Sequence, residues 1–198
     1  MSDAERAPLT REAIVEAAAA LVDEQGLEAL SLRPLARSLG VTAPALYAHV
    51  RDKQDLLRAV AEQAFESLAA RFEAAPRDPA DPLVRLRANG RAYIELAIER
   101  PSAFKVMFLF SPATLPGDHP DIEQLPAATH AFALAAEAVE DAIAAGAIRT
   151  EDPTLAALTL WAGMHGVATV LQMGLGLDPA TEQALIDEVT TRLLDGYR

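Results

Sequence analysis

No cysteine occurs in the 198 residues. That excludes a disulfide framework, a thiol redox sensor and a Cys-ligated zinc site. Basic residues are also scarce: 17 Lys and Arg stand against 29 Asp and Glu, a net charge of -12. Averaged over the chain, this balance argues against nucleic-acid binding, because phosphate neutralisation needs cations. The histidines at 49, 119, 130 and 165 lack metal-ligand spacing, and His119 falls in a Pro-rich stretch. There is no Gly-rich phosphate loop, no Gly-x-Ser-x-Gly, no HExxH and no Glu-x-x-His pair. Enzyme chemistry therefore has no foothold, and no cofactor or metal is expected. The N-terminus carries no basic segment followed by an apolar run, so a secretory signal is not expected and a cytoplasmic location is.

What is present is helix-forming throughout. Ala, Leu, Glu and Arg dominate, and β-branched runs are missing. Thr10 is placed to cap a helix over Arg11 to Gln25, and Gly26 stops it. Ser31 is placed to cap a second helix, about Leu32 to Leu39, with Pro34 in its first turn. Thr42 is placed to cap a third, about Ala43 to His49. Asp52 opens a fourth, with Asp55 in the capping-box position, running without Gly or Pro to Ala75. Asp81 and Pro82 open a fifth, which ends before Pro101. Ser102 caps a short aromatic helix, Ala103 to Phe110, and a Pro/Gly loop follows over residues 111–120. The last three helices are expected over Gln124 to Ala145, 153–174 and 179–196, the latter two opened by Asp152-Pro153 and Asp178-Pro179.

Pro153 to Leu177 contains no Asp, Glu, Lys or Arg, enough in length to span a bilayer. It holds His165, Gln172, three threonines and four glycines, and its flanks are acidic, without the Lys/Arg bias that orients membrane helices. Burial between helices or subunits is the better reading, and no membrane partner is expected.

The charge is unevenly spread. Residues 31–58 hold five basic side chains (Arg33, Arg37, Arg51, Lys53, Arg58) against two acidic ones (Asp52, Asp55), a local +3. A basic island on an acidic body presents one face to a polyanion. The same stretch contains two short helices joined by Gly40-Val41-Thr42, the spacing of a helix-turn-helix. Helices this short are marginal alone, so their neighbours must hold them.

Residues 9–57 resemble the DNA-binding domain of the TetR family. The match runs through Thr10, Ile14, Ala17 and Leu21. It continues through Gly26-Leu27-Glu28-Ala29-Leu30-Ser31-Leu32-Arg33, Leu35-Ala36, Leu39-Gly40-Val41, Pro44-Ala45-Leu46-Tyr47, His49-Val50, Lys53 and Leu56-Leu57. The resemblance implies an all-α fold. A three-helix DNA-binding head (1–57) is joined by helix 4 to an antiparallel helical-bundle body (58–198), about nine helices in all. It implies a homodimer on double-stranded operator DNA, with a small-molecule effector in the body. By the same resemblance Tyr47 and His49 reach phosphates or base edges, and Thr42, Ala43, Pro44 and Ala45 form the end of the recognition helix that meets DNA. Lys53 suits a phosphate clamp, and Arg33 suits guanine or phosphate. Plain alternatives stand beside these roles: Tyr47 as packing, and Lys53 and Arg51 as solvated charge. Ala43, Ala45 and Ala48 offer only methyl groups for base contact, so specificity is expected from few hydrogen bonds plus DNA shape.

In the body, Arg100 to Phe108 resembles the short helix after helix 5 in many members. Leu160-Trp161-Ala162-Gly163-Met164-His165-Gly166 resembles a Trp…His-Gly signature of one C-terminal subgroup. Tyr93, Phe104, Met107, Phe108, Phe132, Trp161, Met164 and His165 are the candidate pocket, with ordinary core packing as the alternative for each. Leu155, Leu158, Ala162, Leu185, Val189 and Leu193 are the candidate dimer interface. Gly163, Gly166 and Ala168 would admit a close partner helix, and the alternative is packing within the chain. A repressor released by a small, largely apolar ligand is the expected function. A ligand-independent DNA-binding protein and an activator with the same head remain open at this point, while the acidic body and its aromatic-rich half argue against a nucleoid-type module.

Overall fold

The computed structural model describes residues 8–109 and 125–197. Among the described residues there are nine α-helices and no strand. They are α1 (Arg11–Gln25), α2 (Leu32–Ser38), α3 (Ala43–Tyr47), α4 (Lys53–Glu73), α5 (Val84–Glu99), α6 (Pro101–Met107), α7 (Pro126–Ala144), α8 (Pro153–Gln172) and α9 (Pro179–Asp195). Phe110, His119, the loop expected over 111–120 and the helix start expected at Gln124 lie outside the described residues.

Local chemistry explains most of the boundaries. Thr10, Thr42, Asp52, Asp152 and Asp178 each accept a backbone N–H in the first turn of the helix they open. At the end of α2, Gly40 adopts φ 64°, its N–H reaching Arg37 O and the Val41 N–H reaching Ala36 O. This pair of bonds requires a left-handed residue, which glycine supplies without strain, and it sets the angle at which α3 leaves α2.

Several expected ends are corrected. Ser31 makes no capping bond at α2. The third helix stops at Tyr47, so Ala48 and His49 form the turn beyond it. Pro82 falls in a turn, α5 begins at Val84, and Asp81 pairs with Arg87 instead of capping. The sixth helix starts at Pro101, and Ser102 is not its cap.

Helix α4 joins two halves of one core. Its face Leu56, Leu57, Val60, Ala61, Ala64, Phe65, Leu68, Ala69 and Phe72 is buried along its whole length. The N-terminal part packs with Ile14, Ala18 and Val22 of α1, Leu35 and Ala36 of α2, and Leu46 of α3. The C-terminal part packs against α6 and α7. Helix α5 lies against α8, and α8 against α9. A second apolar cluster at the far end unites Leu83, Leu86, Val139, Ala142, Ile148, Ala157 and Leu194. Beside it Arg85, only 3% exposed, donates to Glu137 at 3.0 Å and Asp141 at 2.6 Å, tying α5 to α7.

Helix α8 is, among the described residues, the one helix long and apolar enough to cross a membrane. It packs on α5 and α9, and only 28% of its most apolar window is buried.

Asp55 holds the head to α4 in a way the capping-box pattern does not convey. Its carboxylate accepts from the Arg51 N–H at 2.9 Å and takes both terminal nitrogens of Arg11, at 3.0 and 2.7 Å. Arg11 also donates to the His49 carbonyl at 2.7 Å, so one guanidinium fastens the start of α1 to the α3–α4 turn. These bonds, the Arg11 pair foremost, hold the Asp55 carboxyl at about 2, below its ordinary 3.8, against the opposing effect of burial. The unfolded chain therefore binds the proton at higher pH than the folded one. The stabilisation is complete above about pH 4 and lost as pH falls towards 2. Asp55 is 8% exposed, so Asp55→Asn is expected to cost about 2 kcal/mol at pH 7. Urea denaturation at pH 7 and pH 3 checks this: the gap between the two proteins should narrow in acid. A gap that is constant with pH would refute it.

Candidate functional site

The head presents a small polar and apolar surface around α3. Tyr47 is 50% exposed at the end of α3. Thr42 and Pro44 are exposed beside it, Ala43 and Ala45 are half-buried, and the buried Leu46 anchors the helix underneath. The Thr42 hydroxyl accepts from the Ala45 N–H at 3.4 Å, so it is engaged in capping. Arg33 is exposed on α2, and Lys53 is half-buried as the first residue of α4. His49 is half-buried in the turn after α3, with its carbonyl held by Arg11.

A cavity of about 320 Å³ lies between α4, α5, α7, α8 and α9. Of the residues expected there, Tyr93, Phe108, Phe132, Trp161 and Met164 line it. Phe104 and Met107 are buried behind the wall and do not reach it. Nor does His165, which stacks on Phe104 with ring centroids 5.6 Å apart and meets the Phe108 ring edge-on at 4.8 Å. Leu158, expected at a dimer interface, lines the cavity as well. Phe65 and Phe72 of α4 and Asn89 of α5 complete important parts of the wall and were not singled out by the sequence.

The polar groups near Tyr93 form a hydrogen-bonded chain. The Trp161 indole N–H donates to the Tyr93 hydroxyl at 3.1 Å, and that hydroxyl meets His165 Nδ1 at 2.8 Å. Burial raises the Tyr93 pKa, so it keeps its proton and donates to His165. Burial also lowers the pKa of His165, which favours the neutral ring that can accept at Nδ1.

Comparison with known proteins bears on both halves. Residues 14–60 match the family described as bacterial regulatory proteins, tetR family, and residues 86–197 match the tetracyclin repressor-like C-terminal domain. An uncharacterized HTH-type transcriptional regulator of Mycobacterium tuberculosis, Rv0681, is 30% identical over 98% of this chain and 84% of its own length. The chain belongs to the TetR family. A protein with unknown function from Rhodococcus sp. RHA1 has the same fold at a TM-score of 0.82, with 27% identity and 99% of both chains covered. The fold is also shared, at a TM-score of 0.61 and 24% identity, with AibR in complex with isovaleryl coenzyme A and operator DNA, over 93% of this chain and 97% of that one. As a TetR-family member, the chain is a DNA-binding transcriptional regulator and not an enzyme.

In this TetR-family chain the head meets the cavity wall at α6 as well as through α4. Helix α6 has no capping side chain of its own. Asp23, in the last turn of α1, supplies one: its carboxylate accepts from the Ala103 N–H at 3.2 Å and from Arg100 Nε at 2.9 Å. The far end of α6 delivers Phe108 to the cavity. Helix α7 is served likewise, because Glu62 of α4 accepts from the Ala127 N–H at 2.8 Å. The sequence carries a faint signal for Asp23. An acid at a helix C-terminus opposes the macrodipole, so it calls for a partner elsewhere.

Asp23→Ala removes both bonds and leaves Arg100 unpaired, with an expected loss of about 1–3 kcal/mol in urea denaturation. Asp23→Asn keeps an acceptor for the cap and should lose less. Equal losses would mean that the cap contributes nothing.

Proposed function

We propose that this TetR-family regulator is a homodimeric repressor, released from its operator when a small, largely apolar effector enters the cavity between α4 and α9. The observation that carries the reading is the continuity of cavity and head. Phe65 and Phe72 on the cavity wall belong to the helix whose other end anchors the head, and Phe108 belongs to the element that Asp23 clasps. A ligand that displaces Phe108 or the α4 phenylalanines moves the head with them. Two heads must reach successive major grooves about one helical turn apart, so a small change in their spacing abolishes simultaneous docking. The effector shifts the equilibrium only as far as it prefers the released form.

On this reading residues 1–57 act as the DNA-binding unit and 58–198 as the sensing and dimerising unit, in the cytoplasm. Tyr47, His49 and the Thr42–Ala45 end of α3 meet the groove, with Arg33 and Lys53 on phosphates or base edges. The dimer forms across the outer face of α8 and α9. Leu155 is 59% exposed there, and Ala162 and Gly166 are exposed along the same strip. Thr159 and Thr169 turn their hydroxyls back onto the Leu155 and His165 carbonyls, which leaves methyl groups outward. Leu185, Val189 and Leu193 are half-buried against their own core and contribute only their outer edges. Gly163 belongs to the chain's own packing, since a Cβ there would meet Leu193 Cδ1 at 2.2 Å.

Selection from random duplex DNA followed by fluorescence anisotropy tests the head. A recovered motif, a steep salt dependence and a loss of about tenfold or more with Tyr47→Ala are expected. Absence of any motif, with Tyr47→Ala silent, would overturn the operator reading. Ala162→Arg tests the interface: analytical ultracentrifugation should show a folded monomer with weakened operator binding. An unchanged dimer would locate the interface elsewhere.

A further inference from the structure

Among the described residues the cavity wall is almost wholly hydrocarbon, and none of those that line it is charged. An ion entering it would lose its hydration without gaining a counter-charge. Among the described lining residues, four carry polar N or O side-chain atoms: Asn89, Tyr93, Trp161 and Thr190. Three of them are engaged. Tyr93 and Trp161 bond one another, and the Tyr93 hydroxyl continues to His165. The Thr190 hydroxyl donates to the Ile186 carbonyl at 2.7 Å.

Asn89 is different. It is 5% exposed, and among the described residues neither Oδ1 nor Nδ2 has a hydrogen-bond partner. A buried carboxamide in that condition destabilises the protein, because one acceptor and two donors have left water unrewarded. Asn89 and Gly90 are also poor helix formers set in the middle of α5. Local rules broken together at a cavity wall, with no gain within the chain, mark a site built for something else.

We infer that Asn89 is the polar anchor of the effector, and that the effector is an uncharged hydrocarbon frame bearing one carboxamide-type group, an amide or lactam. Such a group returns an acceptor to Nδ2 and a donor to Oδ1 side by side. An ester or ketone offers only the acceptor, and a carboxylate brings a charge that the wall cannot match. The cavity volume, about 320 Å³, sits at the small end of ordinary ligand pockets. This assignment rests on the reading of the cavity as the effector site.

Trp161 is the single tryptophan of the chain and lines the cavity, so its emission reports occupancy directly. The full-length protein is titrated with three probes on one frame: cyclohexylacetamide, methyl cyclohexylacetate and cyclohexylacetate. The amide is expected to bind about tenfold more tightly than the ester, and the carboxylate weakest. In Asn89→Leu the ester should still bind, and the preference for the amide should vanish. Equal binding of amide and ester to the unsubstituted protein would overturn the anchor and leave the effector site standing, as would a preference that survives Asn89→Leu. Binding of none of the three would overturn both. A thermal midpoint gives the second measure. Without ligand, Asn89→Leu should match or exceed the unsubstituted protein, and a sharp fall would show that Asn89 serves the fold instead.

Discussion

A single helix has to satisfy two cores, and most of the molecule follows from that constraint. Helix α4 buries one apolar face from Leu56 to Phe72. The first turns of that face close the head over α1, α2 and α3, while the later ones roof the cavity with Phe65 and Phe72. A close-packed interior transmits displacement because it has no slack to absorb it. The short helices α2 and α3 depend on this arrangement, being too brief to persist without a neighbour to bury Leu35 and Leu46.

Electrostatics then fixes what packing leaves free to slide. Apolar faces tolerate small rotations, whereas hydrogen bonds to charged groups are directional. Arg11 with Asp55 sets the head on α4, Asp23 sets α6 on the head, Glu62 sets α7 on α4, and Arg85 sets α5 on α7. Each of the four joins elements distant in sequence. They share a chemistry: a carboxylate on one helix answers a first-turn N–H group without an intrahelical partner, or a guanidinium, on another. The acidic excess of the chain is thus not only solvation, since part of it is structural.

The sequence conveyed the fold better than the site, and the reason lies in the range of the interactions. Capping by Thr10, Thr42, Asp52, Asp152 and Asp178 is a three-residue affair, so those helix starts were legible. Ser31 and Ser102 look equally suitable and cap nothing; for α6 a carboxylate from 80 residues away occupies the role. The body is rich in aromatic and soft side chains, yet composition cannot tell a wall from what stands behind it. Tyr93, Phe108, Phe132, Trp161 and Met164 face the void, whereas Phe104, Met107 and His165 form the layer that supports them. Asn89-Gly90, a turn-like pair inside a helical pattern, is the one local mark of this wall that the sequence carries.

The clasp between Asp23 and Arg100 bears on how such regulators diversify. Heads and bodies of this architecture look like interchangeable modules when divided along the chain. Here the acceptor lies in the N-terminal part and its two donors, Arg100 and the Ala103 N–H, lie in the C-terminal part. Recombination between two relatives at any point from α2 to α5 separates them. A hybrid that inherits only one partner keeps both hydrophobic cores and the continuous α4, and loses the polar contact between α1 and α6. A crossover in that interval keeps the joint only when both parents carry its matching halves.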